Sequence, residues 1–561
     1  MLNRRTLFLA AAGAAVAPGF GAPVEGAEEA AVPAAIDAGA AQALALTLGF
    51  AISDAEAPIY AGRLNAQLGG IANFLALDLP GNVPPVQFAD RTAGHPPAAG
   101  EDPYNAWLWR CRIDGSGHGL LAGKTVAFKD HIAVAGMPVT YGARALRGLI
   151  ADLDATIVAR CLAAGGVVTG KTALDGIAGG KAYGGRAGDH PRPLNPHDTA
   201  CITGGSSSGS GAAVAAGQVD IAFGGDQGGS VRNPAAYCGV IGLKPTFGLV
   251  SCFGTSFGMD PSIDYVGPLA RHTADVAAAL QAVAGVDGLD ARQSRRVPET
   301  VDVLSRLSDG VKGLRIGLLR EGFHDQVTPE VREAVLVAAH RLEALGAIIS
   351  WVSVPEHKDA ARSIMGIVIA GNRVMETAGW FGGLAPGPYP EKLGVGVKHY
   401  LDASRQDMPA ATKLLRMTAA ASHERFNGQL YARAQNVRQH FVDAYDAALD
   451  KVDLLLMPTV PTVAMRNVAL PADPLAVLAM ELDPATNPMK GLAERLRNVQ
   501  PFNYTGHPGI SVPCGKVGRL PVGMQLVGRH FAEATLLRTA YAYEHMVDWA
   551  AQLSLSADAT G

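Results

Sequence analysis

Thr203-Gly204-Gly205-Ser206-Ser207-Ser208-Gly209-Ser210-Gly211 opens the stretch that decides the fold. It runs into the small-residue segment 212–217 and the apolar segment Ile221-Ala222-Phe223. Then comes Gly224-Gly225-Asp226-Gln227-Gly228-Gly229-Ser230-Val231-Arg232-Asn233-Pro234-Ala235. Two serine-bearing glycine turns therefore flank one predicted helix and one predicted strand, which returns both turns to the same end of a sheet. Glycines carry no Cβ, so consecutive backbone N–H groups there can point into a shared cavity. A row of such donors is what a developing oxyanion needs.

Outward from this centre, short apolar strands at 126–128 and 167–169 alternate with a helix at 155–164, so 120–267 reads as an α/β layered core. Ahead of it, apolar residues recur at three and four from 34 to about 79 (Ile36, Ala40, Leu44, Leu48), which predicts amphipathic helices. The Pro- and Gly-rich 81–117 reads as irregular surface chain. Beyond 299 the predicted helices lengthen (329–345 and 423–449), each followed by a strand (347–352 and 452–457). Helix and surface loop are expected over 467–498, strands over 509–512 and 522–527, and a closing helix over 532–545. No internal repeat is visible. Residues 31–561 read as one α/β domain with a helical insertion at about 300–500.

Composition excludes several classes. Lys plus Arg number 47 against 51 Asp plus Glu, with no basic run, so neither a nucleic acid nor an anionic membrane is an expected partner. The six cysteines are scattered, without a C-x-x-C pair or a histidine at ligand spacing, and no metal site is expected from them. Arg4-Arg5 precede an apolar stretch at 7–17 and small and acidic residues at 22–30. That is the layout of a twin-arginine export signal over 1–30, implying a periplasmic or secreted protein, the alternative being a cytoplasmic one. The stretch is too short to span a bilayer, and stable membrane insertion is not expected.

Two motif matches mislead. Gly165-Gly166-Val167-Val168-Thr169-Gly170-Lys171-Thr172 fits G-x-x-x-x-G-K-[ST], yet it follows a helix and has a strand for its interior, so it is read as helix, glycine cap and strand rather than a phosphate loop. Gly205-Ser206-Ser207-Ser208-Gly209 fits a nucleophile elbow, but its Gly/Ser run is more repetitive than an elbow requires.

Taken together, 204–210, 224–235 and the following Cys238-Gly239-Val240-Ile241-Gly242-Leu243-Lys244-Pro245-Thr246 resemble the amidase signature family. Gly123-Lys124-Thr125-Val126-Ala127-Phe128-Lys129-Asp130 resembles the family's lysine-bearing strand. Asp453-Leu454-Leu455-Leu456-Met457-Pro458-Thr459 and Gly506-His507-Pro508 to Gly523-Met524 resemble its later landmarks. The resemblance spans roughly 34–545. It implies a large mixed twisted central sheet covered by helices on both faces. It also implies Ser230 as nucleophile, Ser206 as a bridging serine after a cis Gly205–Ser206 peptide, and Lys129 as base. Asp226 and Arg232 become structural partners, and the N–H groups of Gln227, Gly228, Gly229 and Ser230 an oxyanion hole. No cofactor and no metal are implied, and homodimers occur in the family. The sequence departs from the family pattern at Gly225 and Gln227, each in place of Thr, at Ser208 in place of Gly, and at Gly176 where many members carry an acidic residue. Gly225 to Ser230 look most like the amidases that accompany nitrile hydratases.

The implied chemistry is a proton relay. A serine hydroxyl is nearly unreactive at neutral pH, and lysine accepts a proton only when uncharged; bringing its pKa from ~10.4 to ~7–8 costs the charged form about 3–4 kcal/mol, which burial can supply. The expected reaction is hydrolysis of a small-molecule carboxamide through an acyl-enzyme, giving an acid plus ammonia or an amine. The alternatives on the same triad are the amidase subunit of a tRNA-dependent amidotransferase, or a carbamate, aryl-anilide or ester hydrolase. Segments 364–380 and 461–501 are expected to line the substrate site and to favour an apolar or aryl group. Asp130 is expected to face away from Lys129, and His131, His507 and Cys238 to be packed residues.

Overall fold

The computed structural model describes residues 35–553 apart from 78–82, 143–145, 147, 175–189, 256–259, 379–386, 404–409, 469–470, 472 and 483–494. The export segment expected at 1–30 and Gly176 lie outside the described residues. The chain divides into two compact units between Asn82 and Val83, where the sequence reading drew no boundary.

In the first unit, α1 (Ala38–Thr47) is capped by Asp37, whose carboxylate accepts from Ala40 N at 2.7 Å, and α2 (Ala57–Leu75) starts with Pro58 in its first turn. Ile36, Ala41 and Ala61 form a small apolar cluster there.

The second unit follows in chain order as β1 (Trp107–Asp114), β2 (Thr125–Lys129), α3 (Thr156–Ala163), β3 (Val167–Thr172), α4 (Ser208–Ala215), β4 (Ile221–Gly225), α5 (Arg232–Cys238), β5 (Ile241–Lys244), β6 (Val266–Ala270), α6 (Thr273–Val283), β7 (Arg315–Leu319), α7 (Pro329–Ala344) and β8 (Ile348–Val352). The helices α8 (His357–Thr377), α9 (Glu391–Ala403), α10 (Ala410–Phe426) and α11 (Gln429–Leu449) come next, then β9 (Leu454–Pro458), α12 (Pro474–Leu482), α13 (Gln500–Thr505), β10 (Gly509–Val517), β11 (Leu520–Gly528), α14 (Glu533–Val547) and α15 (Trp549–Gln552).

The strands form one mixed 11-stranded sheet in the order β1-β3-β2-β4-β6-β5-β10-β11-β9-β7-β8, flanked by helices as expected for an α/β core. β2 runs parallel to both β3 and β4, with Lys129 opposite Thr172 and Phe128 opposite Phe223. The Phe128 and Phe223 rings stack at 5.5 Å, a contact worth about 0.5–1.5 kcal/mol beyond burial. These strands are buried on both faces, and so read as apolar runs rather than alternating ones.

Three elements differ from the sequence reading. β1 lies within 81–117, taken there as irregular chain. α4 begins at Ser208, four residues earlier than expected, and its Gly209 packs so closely on the chain before β1 that a Cβ there would meet Ala106 O at 2.3 Å. The helix expected over 423–449 is broken at Asn427 and Gly428, both at positive φ, so α10 ends and α11 begins there.

Candidate active site

β2 ends on Lys129, which is 2% exposed and whose Nζ donates to Ser206 Oγ at 2.7 Å. Ser206 stands in the turn before α4, directly after a cis Gly205–Ser206 peptide. Ser230 stands in the turn between β4 and α5. The two serine turns are bound to each other, since Ser207 N donates to Ser230 O at 3.3 Å and Ser207 Oγ donates to Gly225 O at 3.2 Å. Across 203–211 and 224–235 every residue is buried except Ser206, Gly228 and Ser230. Both serines thus open to solvent at one end of β2 and β4, with the lysine buried behind them.

Asp226 and Arg232 brace the turn that carries Ser230. Neither is exposed, and they meet through Nε to Oδ2 and Nη2 to Oδ1, each at 3.1 Å. The guanidinium continues to Val499 O, Gln525 Oε1 and Asn503 Oδ1, and Asn503 Nδ2 returns to Asp226 Oδ1 at 2.8 Å. The carboxylate also collects two backbone donors on either side of Ser230: Gly229 N at 2.6 Å and Val231 N at 3.1 Å. Gly229 adopts φ +110, which glycine tolerates and other residues do not.

Of the four amides expected at an oxyanion hole, Gly229 N–H donates to Asp226 Oδ1. The amides of Gln227, Gly228 and Ser230 make no hydrogen bond among the described residues.

Behind the turn, Gln227 Nε2 donates to Asp264 Oδ1 in a very short contact, while Asp264 Oδ2 is buried without a partner among the described residues. Gly225 leaves the space this pair needs, since a Cβ there would stand 2.6 Å from His131 Nε2 and 3.2 Å from Gln227 Nε2. The Thr usual at this position in the family would collide. Burial pushes the Asp264 carboxyl up to about 6, although Arg292, Gln227 and Lys129 pull the other way. A carboxyl raised in the folded state contributes stability that is fully present below its unfolded pKa and lost as pH rises through about 6. Asp264→Asn keeps an acceptor for Gln227 but does not titrate. Its unfolding free energy is expected to match the parent near pH 4 and to exceed it by about 3 kcal/mol above pH 7, read by urea denaturation at both values.

The remaining residues singled out from sequence are structural. Asp130 turns away from Lys129, accepting at Oδ2 from Thr140 N (2.7 Å) and Tyr141 N (2.6 Å). Lys171 is fully buried in β3 and donates to Asp130 O and Pro138 O, both at 3.0 Å, so the G-x-x-x-x-G-K-[ST] match is a strand and no phosphate cradle. His131 is buried against Gly225, and burial, then the charges of Lys129 and Lys171, hold it well below the usual imidazole range. Cys238 Sγ donates to Thr203 O at 3.4 Å, and burial pushes its thiol far up. Sequence reading missed Asp264, Asn503 and Gln525. Only Asn503 carried a signal, as it stands just before the quoted Gly506-His507-Pro508 landmark. Among the described residues, one group could hold a metal ion, Asp446, His507 and His530, and it includes neither serine.

The family model for amidases matches residues 106–537. An enantioselective amidase of Rhodococcus rhodochrous is 37% identical over 472 residues, covering 82% of this chain and 87% of that protein. A glutamyl-tRNA(Gln) amidotransferase subunit of Methanosarcina mazei is 36% identical over 443 residues, covering 78% and 87%. The crystal structure of a peptide amidase from Stenotrophomonas maltophilia aligns with a TM-score of 0.61 at 30% identity, over 77% of this chain and 84% of that one.

Proposed function

The chain belongs to the amidase signature family and is an amide-hydrolysing enzyme, and from that premise we propose that it cleaves carboxamides without a partner subunit, through Ser230, Ser206 and Lys129. The observation that carries this reading is the exposure of Ser206 and Ser230 alone with Gly228, above a buried lysine 2.7 Å from Ser206.

In the proposed reaction, Lys129 as the uncharged amine takes the Ser206 proton while Ser206 takes that of Ser230, whose oxygen attacks the substrate carbonyl. The amides of Gln227, Gly228 and Ser230 receive the oxyanion; one such donor is worth about 2.7–4 kcal/mol in the transition state. Ser206 then passes its proton to the departing nitrogen and takes one back from Lys129, because amines leave poorly unless protonated and the lysine must be neutral for the second half. Water repeats the cycle on the acyl-enzyme, releasing a carboxylic acid and returning the lysine to its neutral form.

Gln500 supports an amide over an ester. Its Cγ and Nε2 stand against Gly228, and its Oε1 is buried without a partner among the described residues, suited to accept from the N–H of a bound carboxamide. An ester offers no such donor. Export through the Arg4-Arg5 signal is part of this proposal and would separate the enzyme from translation. The second reading, a component of an amidotransferase, draws on the Methanosarcina mazei relative.

The two readings part in one assay. The purified chain is expected to release ammonia from simple aliphatic and aryl amides with no other protein present. Ammonia release confined to glutamine and dependent on added subunits would establish the second reading instead.

A further inference from the structure

Away from the serines, Asp446 on α11, His507 in the turn after α13 and His530 in the turn after β11 bring one ligand atom each to within 4.8 Å of the others. Their hydrogen bonds determine which nitrogen of His507 carries a proton. Thr505 Oγ1 donates to Pro501 O at 3.0 Å, so it can only accept from His507 Nδ1, at 2.8 Å. With the proton on Nδ1, a neutral His507 presents the bare lone pair of Nε2 to Asp446 Oδ1, 3.1 Å away. Two acceptors face each other, and something positive must lie between them.

His530 repeats the pattern, with Nε2 donating to the carbonyl of Thr505 at 3.1 Å, which leaves Nδ1 as its lone pair. Imidazoles whose second nitrogen is held by a hydroxyl or carbonyl are the usual outer-shell arrangement of a histidine metal ligand. The His507 and His530 rings lie 4.3 Å apart. Tetrahedral zinc with bonds near 2.0–2.1 Å sets its ligand atoms about 3.3 Å apart, close to the 3.1 Å between His507 Nε2 and Asp446 Oδ1, while all three ligand atoms lie within 4.8 Å of one another. His507 is fully buried while Asp446 and His530 are half-buried, so the group opens to solvent on one side.

We propose that Asp446, His507 and His530 form a divalent-metal site, a two-histidine, one-carboxylate set for zinc or a similar borderline ion, completed by water. Lys244 and Arg529 lie near enough to weigh against positive charge here, and Arg529 is already engaged with Asp450 and Leu449 O. Three coordinate bonds outweigh that field more readily than the single hydrogen bond of a bridging proton.

The test is calorimetric titration of tag-free, EDTA-treated protein with zinc chloride alone. One equivalent is expected to bind, and Asp446→Asn and His530→Ala are each expected to weaken it at least by the roughly 10–100-fold that loss of an outer-shell partner costs. Asp446→Asn preserves side-chain size and gives His507 Nε2 a donor, so its melting temperature in EDTA should not fall, separating metal loss from unfolding. Amide turnover by that variant in EDTA should equal the parent's. Absence of a bound equivalent, or equal zinc affinity in parent and variants, would overturn the proposal. So would nitrogen NMR showing both His507 nitrogens protonated in zinc-saturated protein.

Discussion

Ser230→Ala is expected to lower kcat for amide hydrolysis by about 10⁴-fold or more, the scale on which a lost nucleophile is felt when its partners remain. The backbone that shapes the turn is untouched: Ser207 N still reaches the residue-230 carbonyl, and Asp226 still holds Gly229 N and Val231 N. Substrate affinity and melting temperature should therefore stay near the parent values, which distinguishes lost chemistry from lost structure. A serine-directed phosphonate should label the parent and spare the variant. Undiminished turnover in Ser230→Ala would remove this serine from the reaction altogether.

Arg232→Met is expected to destabilise the protein by about 3–5 kcal/mol at pH 7, the usual penalty for stranding one partner of a buried pair. The change deletes five hydrogen bonds and leaves Asp226 charged with no exposure to water. Burial by itself would raise that carboxyl; in the parent, the Arg232 charge and hydrogen bonds, then Asn503 and Lys244, hold it far below the ordinary range. A depressed carboxyl contributes stability above its unfolded pKa and loses it as pH falls. Without Arg232 the balance inverts, so the variant's deficit should shrink as pH drops toward 4 and Asp226 becomes protonated. Urea denaturation at pH 7 and pH 4.5 reads both effects. An equal deficit at the two values would mean that the lost contacts, and not the stranded charge, account for it.

What could be seen in the sequence was whatever is local. The glycine turns, the strand leading to Lys129 and the helix-cap-strand nature of 163–172 are short-range patterns, and the structure places them near where the spacing pointed, the first turn giving way to helix already at Ser208. The bracing was out of reach because it is long-range: Arg232 is held by residues 271 and 293 positions later, and no periodicity marks Asn503 or Gln525 as its partners. The Gln227–Asp264 pair was equally hidden, since Gln227 showed only as a departure from a pattern, and its cause lies on another loop. The donor state of Gly229 N–H could not be read either, because it depends on how Asp226 bends back over its own turn. β1 was overlooked although Trp107, Trp109, Cys111 and Ile113 alternate with other residues; the Pro- and Gly-rich surroundings masked a period of two.

The distance between Arg232 and its anchors also bears on when the enzyme comes alive. A nascent chain still on the ribosome has emitted Lys129, Ser206 and Ser230 long before Asn503 and Gln525 emerge. Until those two arrive, the guanidinium has only Asp226 and, late on, the carbonyl of Val499 to bind, and the bracing of the Ser230 turn is incomplete. The bracing is thus completed only when translation is nearly over, and fragments that stop short of 525 are expected to carry Lys129, Ser206 and Ser230 yet show no amide turnover.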